Sequence, residues 1–294
     1  MMRRLPYETW DVFTDRRFAG NPLAVVFGAD ALPTEDLQLI AREFDYSESV
    51  FVLESNDDEV DARIRIFTPT GELPFAGHPT VGAACALARS RGGGSALQLE
   101  LAAGRFPIRL SRNGMSYAEF QNPNRPRLLE RDADPAAIER ALSLPKGSVA
   151  SDAYRPRFAG AGIDFLYARV DRTALDEARL NTAAWDALGL GDACGVFAWS
   201  SEDPARGAFS ARMFAPHIGV AEDPATGSAA AGLPAHLVSA GALDDGRHEW
   251  SIEQGRVMGR PSRIFVRLTV HGGVPRALRV GGHAVPVMTG TIEV

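Results

Sequence analysis

Residues Arg65–Ala84 read RIFTPTGELPFAGHPTVGAA, and most of this pattern appears a second time later in the chain. The second occurrence is RMFAP at 212–216, followed by DPATGSAA at 223–230. The Arg-x-Phe-x-Pro parts start 147 residues apart, and the Pro-x-x-Gly-x-Ala parts start 145 residues apart. Because this spacing is about half of the 294 residues, the pattern indicates an internal repeat and predicts two domains of similar fold.

Both copies predict a strand, a loop and then a helix whose first residue is proline, Pro79 in one copy and Pro224 in the other. The residues just before these prolines, His78 and Asp223, are then expected at the helix N-caps. Small apolar residues follow, which favours helices that are buried on most faces. If the two copies face each other, their positive helix N-termini predict a two-sided site for an anion.

The composition is that of an ordinary globular chain, with 45% hydrophobic and 23% charged residues. The net charge of −6 gives no support to nucleic-acid binding. The sequence has no run of 18 apolar residues and no apolar stretch near its start, so we expect neither a membrane span nor a signal peptide. Cys85 and Cys194 are isolated in apolar surroundings, which is typical of buried, inert thiols in the cytoplasm.

Many short strands with one buried helix in each half predict an α+β fold. Two pseudo-symmetric domains are expected, each a β-sheet or barrel wrapped around a central helix. A polar, proline-containing linker at 121–127 places the first domain at 1–121, with the C-terminal strand 284–294 as a candidate to complete it. The second domain is expected at 122–283. Asn113-Gly114 is a strong hairpin signal, and glycine pairs at 272–273 and 281–282 are expected to separate the last strands.

Five motifs occur in order along the chain: DVFTDRRFAGNP (11–22), SESVFV (47–52), FAGHPT (75–80), EDPATGSA (222–229), and QG with GRPS (254–255 and 259–262). At this spacing they resemble the phenazine biosynthesis PhzF-like family, which shares its fold with diaminopimelate epimerase. The similarity extends from about residue 6 to the C-terminus. The resemblance implies two domains with an active site in the cleft between them, and neither a metal nor a cofactor.

In the phenazine-pathway isomerase of this family, a glutamate moves a proton between ring carbons of dihydrohydroxyanthranilate, and Glu48 is the matching position. Without the resemblance, a glutamate ahead of a strand is more often a solvated loop residue. With it, we expect Glu48 to be the general acid/base, most effectively if burial raises its pKa towards neutrality. The resemblance also assigns substrate contacts to Gly77, His78, Asp223, Gly227 and Ser228, with His78 either binding the substrate or relaying a proton.

The leading hypothesis is therefore a cofactor-independent isomerase that acts on a small anionic, carboxylate-bearing metabolite. One alternative is a non-catalytic metabolite-binding protein on the same fold. A racemase or epimerase with two thiols is a further alternative, but it needs a cysteine at each helix N-terminus, and Cys85 lies about two turns inside the first helix. The resemblance also implies a homodimer, although no residue of the sequence specifies an oligomer.

Overall fold

The chain divides into two compact units in the computed structural model, which describes residues 3–111 and 117–294. Unit 1 comprises residues 1–121 and 281–294, and unit 2 comprises residues 122–280. We propose that these units are the two domains expected from the sequence.

The described part of unit 1 contains two helices and eight strands that precede the linker. They are β1 (Arg4–Val12), β2 (Asn21–Phe27), α1 (Thr34–Phe44), β3 (Ser49–Leu53), β4 (Ala62–Phe67), β5 (Glu72–Leu73), α2 (Gly77–Ser90), β6 (Ala96–Leu101), β7 (Gly104–Leu110) and β8 (Tyr117–Gln121).

Unit 2 follows with further strands and short helices, and its last strand continues into unit 1. The elements are β9 (Arg127–Asp132), α3 (Pro135–Ala141), β10 (Arg157–Gly160), β11 (Asp164–Arg169), α4 (Arg172–Glu177), α5 (Thr182–Trp185), β12 (Val196–Ser200), β13 (Ala208–Ala215), β14 (Val220–Asp223), α6 (Gly227–Ser239), β15 (Gly246–Gln254), β16 (Ser262–His271) and β17 (Val274–Glu293). Single turns of 3-10 helix lie at 186–188, 204–206 and 216–218.

The strands of unit 1 close into a barrel. In spatial order they are β17, β1, β2, β3, β4, β6, β7 and β8, and β8 pairs with β17 again. Closure leaves the barrel without an open edge. The pairs β2–β3 and β4–β6 are parallel, and the others for which a direction is resolved are antiparallel.

Unit 2 uses the same series of pairings. The strands β9 and β10 pair antiparallel, as do β10 and β11, and β11 then pairs parallel with β12. The strand β12 pairs antiparallel with β13, β13 pairs parallel with β15, and β15 pairs antiparallel with β16. The expected α+β fold is therefore confirmed. We propose that the shared series reflects an internal repeat of the sequence.

Each unit wraps its strands around one apolar helix. In unit 1, α2 contacts β1, β2, β3, β7 and β8, and in unit 2, α6 contacts β9, β10, β11 and β16. The small residues of these helices are needed for this close packing. A Cβ on Gly82 would lie 2.4 Å from Leu23 Cδ2, and one on Gly232 would lie 2.2 Å from the Tyr167 hydroxyl.

The predicted helix starts were wrong in both copies. The helix α2 begins at Gly77 and α6 at Gly227, so His78 is the second residue of α2 and Asp223 is the last residue of β14. Among the described residues, no side chain caps either helix start. Pro79 misled the prediction because any of the first four helical positions lacks an intrahelical N–H partner, so proline fits the third position of α2. Pro224 lies in the loop ahead of α6.

The starts of the two buried helices are therefore 150 residues apart in the chain, whereas the proline motifs are 145 residues apart. Arg65 forms a two-pronged ion pair with Glu72, with distances of 2.7 and 2.6 Å, and Arg212 does the same with Glu222 at 2.8 Å for both contacts. In each unit this pair links the long strand to the short strand ahead of the buried helix.

The predicted break at Gly281-Gly282 was also wrong, because β17 runs through it as one strand of 20 residues. Gly281 serves close packing, since a Cβ there would lie 2.6 Å from the main-chain oxygen of Ala118. The Asn113-Gly114 hairpin signal lies outside the described residues. None of the helices in the described ranges has the length and apolar character required to cross a membrane.

Candidate active site

Glu48 lies in the short segment between α1 and β3. The helix α1 ends at Phe44, and the next residue, Asp45, adopts a left-handed conformation with φ of 53° and turns the chain towards β3. The Glu48 side chain is 18% exposed, so it is not a solvated loop residue. Burial raises its pKa from the ordinary 4.5 to about 7, and a hydrogen bond with Ser47 opposes that rise. The carboxyl group can therefore both accept and release a proton near neutral pH.

His78 approaches Glu48 from the first turn of α2. Its Nδ1 atom lies 3.6 Å from Glu48 Oε2, and its side chain is 5% exposed. The fold brings them together because β2 and β3 are adjacent parallel strands and α2 packs against both. Gly77, the first residue of the helix, is also buried. The positive end of the α2 dipole therefore lies in the turn whose His78 side chain faces the Glu48 carboxyl group.

Asn21 and Ser47 complete this group, and the sequence analysis gave them no role. The Ser47 hydroxyl donates to Asn21 Oδ1 at 3.3 Å, and Asn21 Nδ2 lies 3.4 Å from His78 Nδ1. Asn21 is 1% exposed. Its only sequence signal was its place near the end of the first family motif. We call Asn21, Ser47, Glu48 and His78 the Glu48 group.

A second polar group lies in unit 2 around Asp223. The Thr226 hydroxyl donates to Asp223 Oδ2 at 2.6 Å. Gln254 Nε2 donates to the main-chain oxygen of Asp223 at 2.7 Å and to Thr226 Oγ1 at 2.9 Å, and its Oε1 accepts from the Thr226 N–H at 3.1 Å. These three side chains are each at least nine-tenths buried. Gln254 therefore fixes the loop that leads from β14 into α6.

Gly227 and Ser228 are the first two residues of α6, directly after this loop. Ser228 holds the same position in α6 that His78 holds in α2. Gly255 supports the loop from the other side, since its φ is +73° and a Cβ would lie 2.7 Å from the main-chain oxygen of Pro224. Of the six residues assigned by the sequence analysis, three therefore lie in unit 1 (Glu48, Gly77 and His78) and three in unit 2 (Asp223, Gly227 and Ser228).

Cys85 is not placed for thiol-based proton transfer. Cys85 is buried in the middle of α2, and burial raises the pKa of its thiol to about 12. A thiol that acts as a base needs a lowered pKa. In the part of the chain that the structure describes, no three or more His, Cys, Asp or Glu side chains are placed to hold a metal ion.

Comparison with known proteins places the chain among one group of enzymes. The family model for phenazine biosynthesis-like proteins, PhzC-PhzF, matches residues 10–290. An uncharacterized isomerase of Mesorhizobium japonicum is 42% identical, with 99% of both chains covered. The trans-2,3-dihydro-3-hydroxyanthranilate isomerase of Pseudomonas aeruginosa is 36% identical, with 94% of this chain and 95% of that protein covered.

A solved structure has the same fold. The PhzF-family phenazine biosynthesis protein of Bacillus anthracis superposes with a TM-score of 0.86 at 23% sequence identity, covering 99% of this chain and all of that one.

Proposed function

Since the chain belongs to the phenazine biosynthesis-like PhzC-PhzF family and is an isomerase of the PhzF type, we propose that it moves a proton on a small carboxylate-bearing metabolite by general acid/base catalysis, without a cofactor. The observation that carries the proposal is the burial of Glu48, which brings its pKa to about 7 beside the first turn of α2. A carboxyl group with this pKa exchanges protons at neutral pH without a metal or an organic cofactor.

In the proposed reaction, the Glu48 carboxylate takes a proton from a carbon of the substrate. The C–H bond breaks, an O–H bond forms on Glu48, and the electron pair stays in the substrate as an enolate-like system. Glu48 then returns the proton to a different carbon of the same molecule. The net change is an isomerisation, with no gain or loss of electrons. The N–H groups at the start of α2 would stabilise the negative charge that develops.

The proposed substrate class is supported by the name of one relative and by the positive N-terminal end of α2. The Pseudomonas aeruginosa relative is named for trans-2,3-dihydro-3-hydroxyanthranilate, a cyclic amino acid with a carboxylate. We propose a small anionic substrate of this class, bound by Gly77 and His78 in unit 1. Following the family resemblance, we assign Asp223, Gly227 and Ser228 of unit 2 to substrate binding as well. We also retain the proposal of a cytoplasmic homodimer.

The experiment that tests this function is deuterium incorporation, followed by NMR. The protein is incubated in deuterated water with trans-2,3-dihydro-3-hydroxyanthranilate and with a panel of small cyclic amino and hydroxy carboxylates. We expect isomerisation or deuterium wash-in for at least one compound. In the Glu48→Gln variant this rate should fall by about 10²- to 10⁴-fold, the usual contribution of a general acid/base.

The matched control is Glu54→Gln, because Glu54 flanks the other end of β3 and is exposed. This variant should keep the wild-type rate. An active Glu48→Gln protein would exclude the proposed mechanism. Tight binding of a ligand without any exchange would instead favour the non-catalytic binding protein. A two-thiol epimerase would lose activity in Cys85→Ser, whereas we expect that variant to remain active.

The pH dependence of kcat/KM gives an independent test of the same residue. Glu48 must be ionised in the free enzyme to accept a proton from carbon, and its pKa is about 7. Below that pH we therefore expect kcat/KM to fall about tenfold per pH unit. A profile that stays flat down to pH 5 would contradict the assignment of Glu48 as the base.

A further inference from the structure

Asn21 occupies a position that the backbone defines tightly. It is the first residue of β2 and pairs with Val12 of β1. The preceding Gly20 has a φ of +67°, and a Cβ there would lie 2.3 Å from the main-chain oxygen of Val12. The turn therefore brings the backbone of the two strands into direct contact, and the Asn21 side chain projects from a fixed point. Together with its burial, this gives the Asn21 amide a defined place in the Glu48 group.

The Asn21 amide presents its oxygen to Ser47 and its nitrogen to His78. The amide oxygen accepts the hydrogen bond of the Ser47 hydroxyl at 3.3 Å, and the amide nitrogen faces His78 Nδ1 at 3.4 Å. An amide nitrogen carries two donors and no acceptor. The ring atom that faces it must therefore offer a lone pair, which requires a neutral imidazole with its proton on Nε2.

We propose that Asn21 is a positioning residue that holds His78 as the tautomer with the proton on Nε2, so that Nδ1 is an acceptor facing both Asn21 and Glu48. The proposal rests on the proposed role of Glu48 as acid/base. Glu48 Oε2 lies 3.6 Å from the same Nδ1 atom. Because Nδ1 has a single lone pair, the new O–H on Glu48 can take the place of the Asn21 N–H there once Glu48 has taken a proton from the substrate. The proton then stays on Glu48 until it is returned to carbon.

The opposite tautomer would act differently. With the proton on Nδ1, the ring would donate to the Glu48 carboxylate and stabilise its charged form, which weakens it as a base. The partner on one ring nitrogen commonly sets the tautomer of a histidine in this way. In this chain the Asn21 amide is that partner. Because it keeps Nδ1 free of a proton, Nδ1 can accept a hydrogen bond from protonated Glu48 after proton abstraction.

The test is a direct determination of the His78 tautomer by ¹⁵N NMR of protein labelled at histidine. The His78 signals are identified by their loss in His78→Gln, and spectra are recorded at about pH 8, where an ordinary imidazole is neutral. We expect the proton on Nε2 in the wild type. In Asn21→Asp, which has nearly the same shape but replaces the donor nitrogen by an acceptor oxygen, the proton should move to Nδ1.

The matched control is Asn122→Asp. Asn122 is another buried asparagine, but its Nδ2 atom donates to main-chain oxygens of Asn124 and Ala161 in unit 2. This variant reproduces a buried Asn-to-Asp change without touching His78, so the His78 signals should be unchanged. A proton on Nδ1 in the wild type overturns the proposal, and so does a proton that stays on Nε2 in folded Asn21→Asp. If Asn21→Asp does not fold, the wild-type tautomer alone decides.

The exchange assay then separates this proposal from the proposed function. Misplacement of His78 in Asn21→Ala should lower the Glu48-dependent exchange rate by about 10- to 100-fold. An expected tautomer switch together with an active Glu48→Gln protein would overturn the proposed function alone. Loss of exchange in Glu48→Gln together with an unchanged tautomer would overturn the role of Asn21 alone.

Discussion

Burial of the Glu48 carboxyl group makes the folded chain less stable at alkaline pH. The pKa of this group is about 7 in the folded chain and 4.5 ordinarily. Between these values the folded chain binds more protons than the unfolded chain, so stability falls as the pH rises. Above pH 7 the full penalty applies, and a difference of this size corresponds to about 3 kcal/mol.

We therefore predict that Glu48→Gln is more stable than the wild type at pH 8, by up to about 3 kcal/mol. The difference should disappear near pH 4, where the wild-type carboxyl group is protonated in both states. Urea unfolding at the two pH values measures it, with Glu54→Gln as the control for the loss of a charge. A Glu48→Gln protein that is equally or less stable at pH 8 would show that the carboxyl group is not destabilised by its surroundings.

For single residues, the sequence identified several candidate site residues but not the contacts that bury them. Glu48 was selected only through the family resemblance, since burial depends on contacts between β2, β3 and α2 that no local pattern contains. Asn21 and Gln254 were inside quoted motifs but received no role. Their importance comes from partners 57 and 28–31 residues away in the chain, which spacing alone does not reveal.

The types of secondary-structure element were predicted more fully than the residues at which the two buried helices start. The short strands and one buried helix in each half were predicted from the repeated motif and its runs of small residues. The helix starts were not, because a proline near a helix start does not mark its first residue: Pro79 lies inside the first turn of α2, whereas Pro224 lies ahead of α6. The better guide was the acidic partner of each arginine, Glu72 for Arg65 and Glu222 for Arg212. These pairs align the two copies but become visible only when the strands are paired.

The loop after β15 gives a matched pair of glycines for a test at the scale of the element. Gly255 and Gly259 have φ values of +73° and +74°. A Cβ on Gly255 would lie 2.3 Å from the main-chain oxygen of Arg260, whereas no described atom lies within 4 Å of a Cβ on Gly259. Alanine is strained at both positions, but only at Gly255 does it also force the backbone apart.

We predict that Gly255→Ala lowers the free energy of unfolding by about 1–3 kcal/mol more than Gly259→Ala does. Because the displaced backbone includes Pro224, the Asp223 loop should move as well, and the Thr226 amide should show a changed NMR shift in Gly255→Ala only. Equal losses of stability in the two variants would mean that the close contact at Gly255 is not needed to hold the loop.

At the scale of the whole molecule, the strand β17 closes the barrel of unit 1. Its last residues pair with β1 from Ala284 opposite Val12 to Glu293 opposite Arg4, and its pairing with β8 closes the barrel. From the sequence, the C-terminal strand was only a candidate to complete the first domain. The reason is that a pairing between residues almost 290 positions apart leaves no local signal.

We predict that a chain ending at residue 280 loses the fold of unit 1 while unit 2 persists. Limited proteolysis should then digest residues 1–121 and spare 122–280. Adding a peptide of residues 281–294 should restore protection, because it can supply the missing strand to β1 and β8. A truncated chain that resists digestion throughout residues 1–121 would show that the barrel does not depend on this strand.

The same strand sets the order in which the protein can form as it is made. A ribosome produces β1 before unit 2, yet it produces the partner of β1 only after unit 2. All of unit 2 is synthesised in between and can fold while the barrel is still open. The half that carries Glu48 must therefore wait, with β1 and β8 exposed as unpaired edges, until residue 293 has left the ribosome. In a growing cell, this interval is when we expect the chain to need the protection of a chaperone.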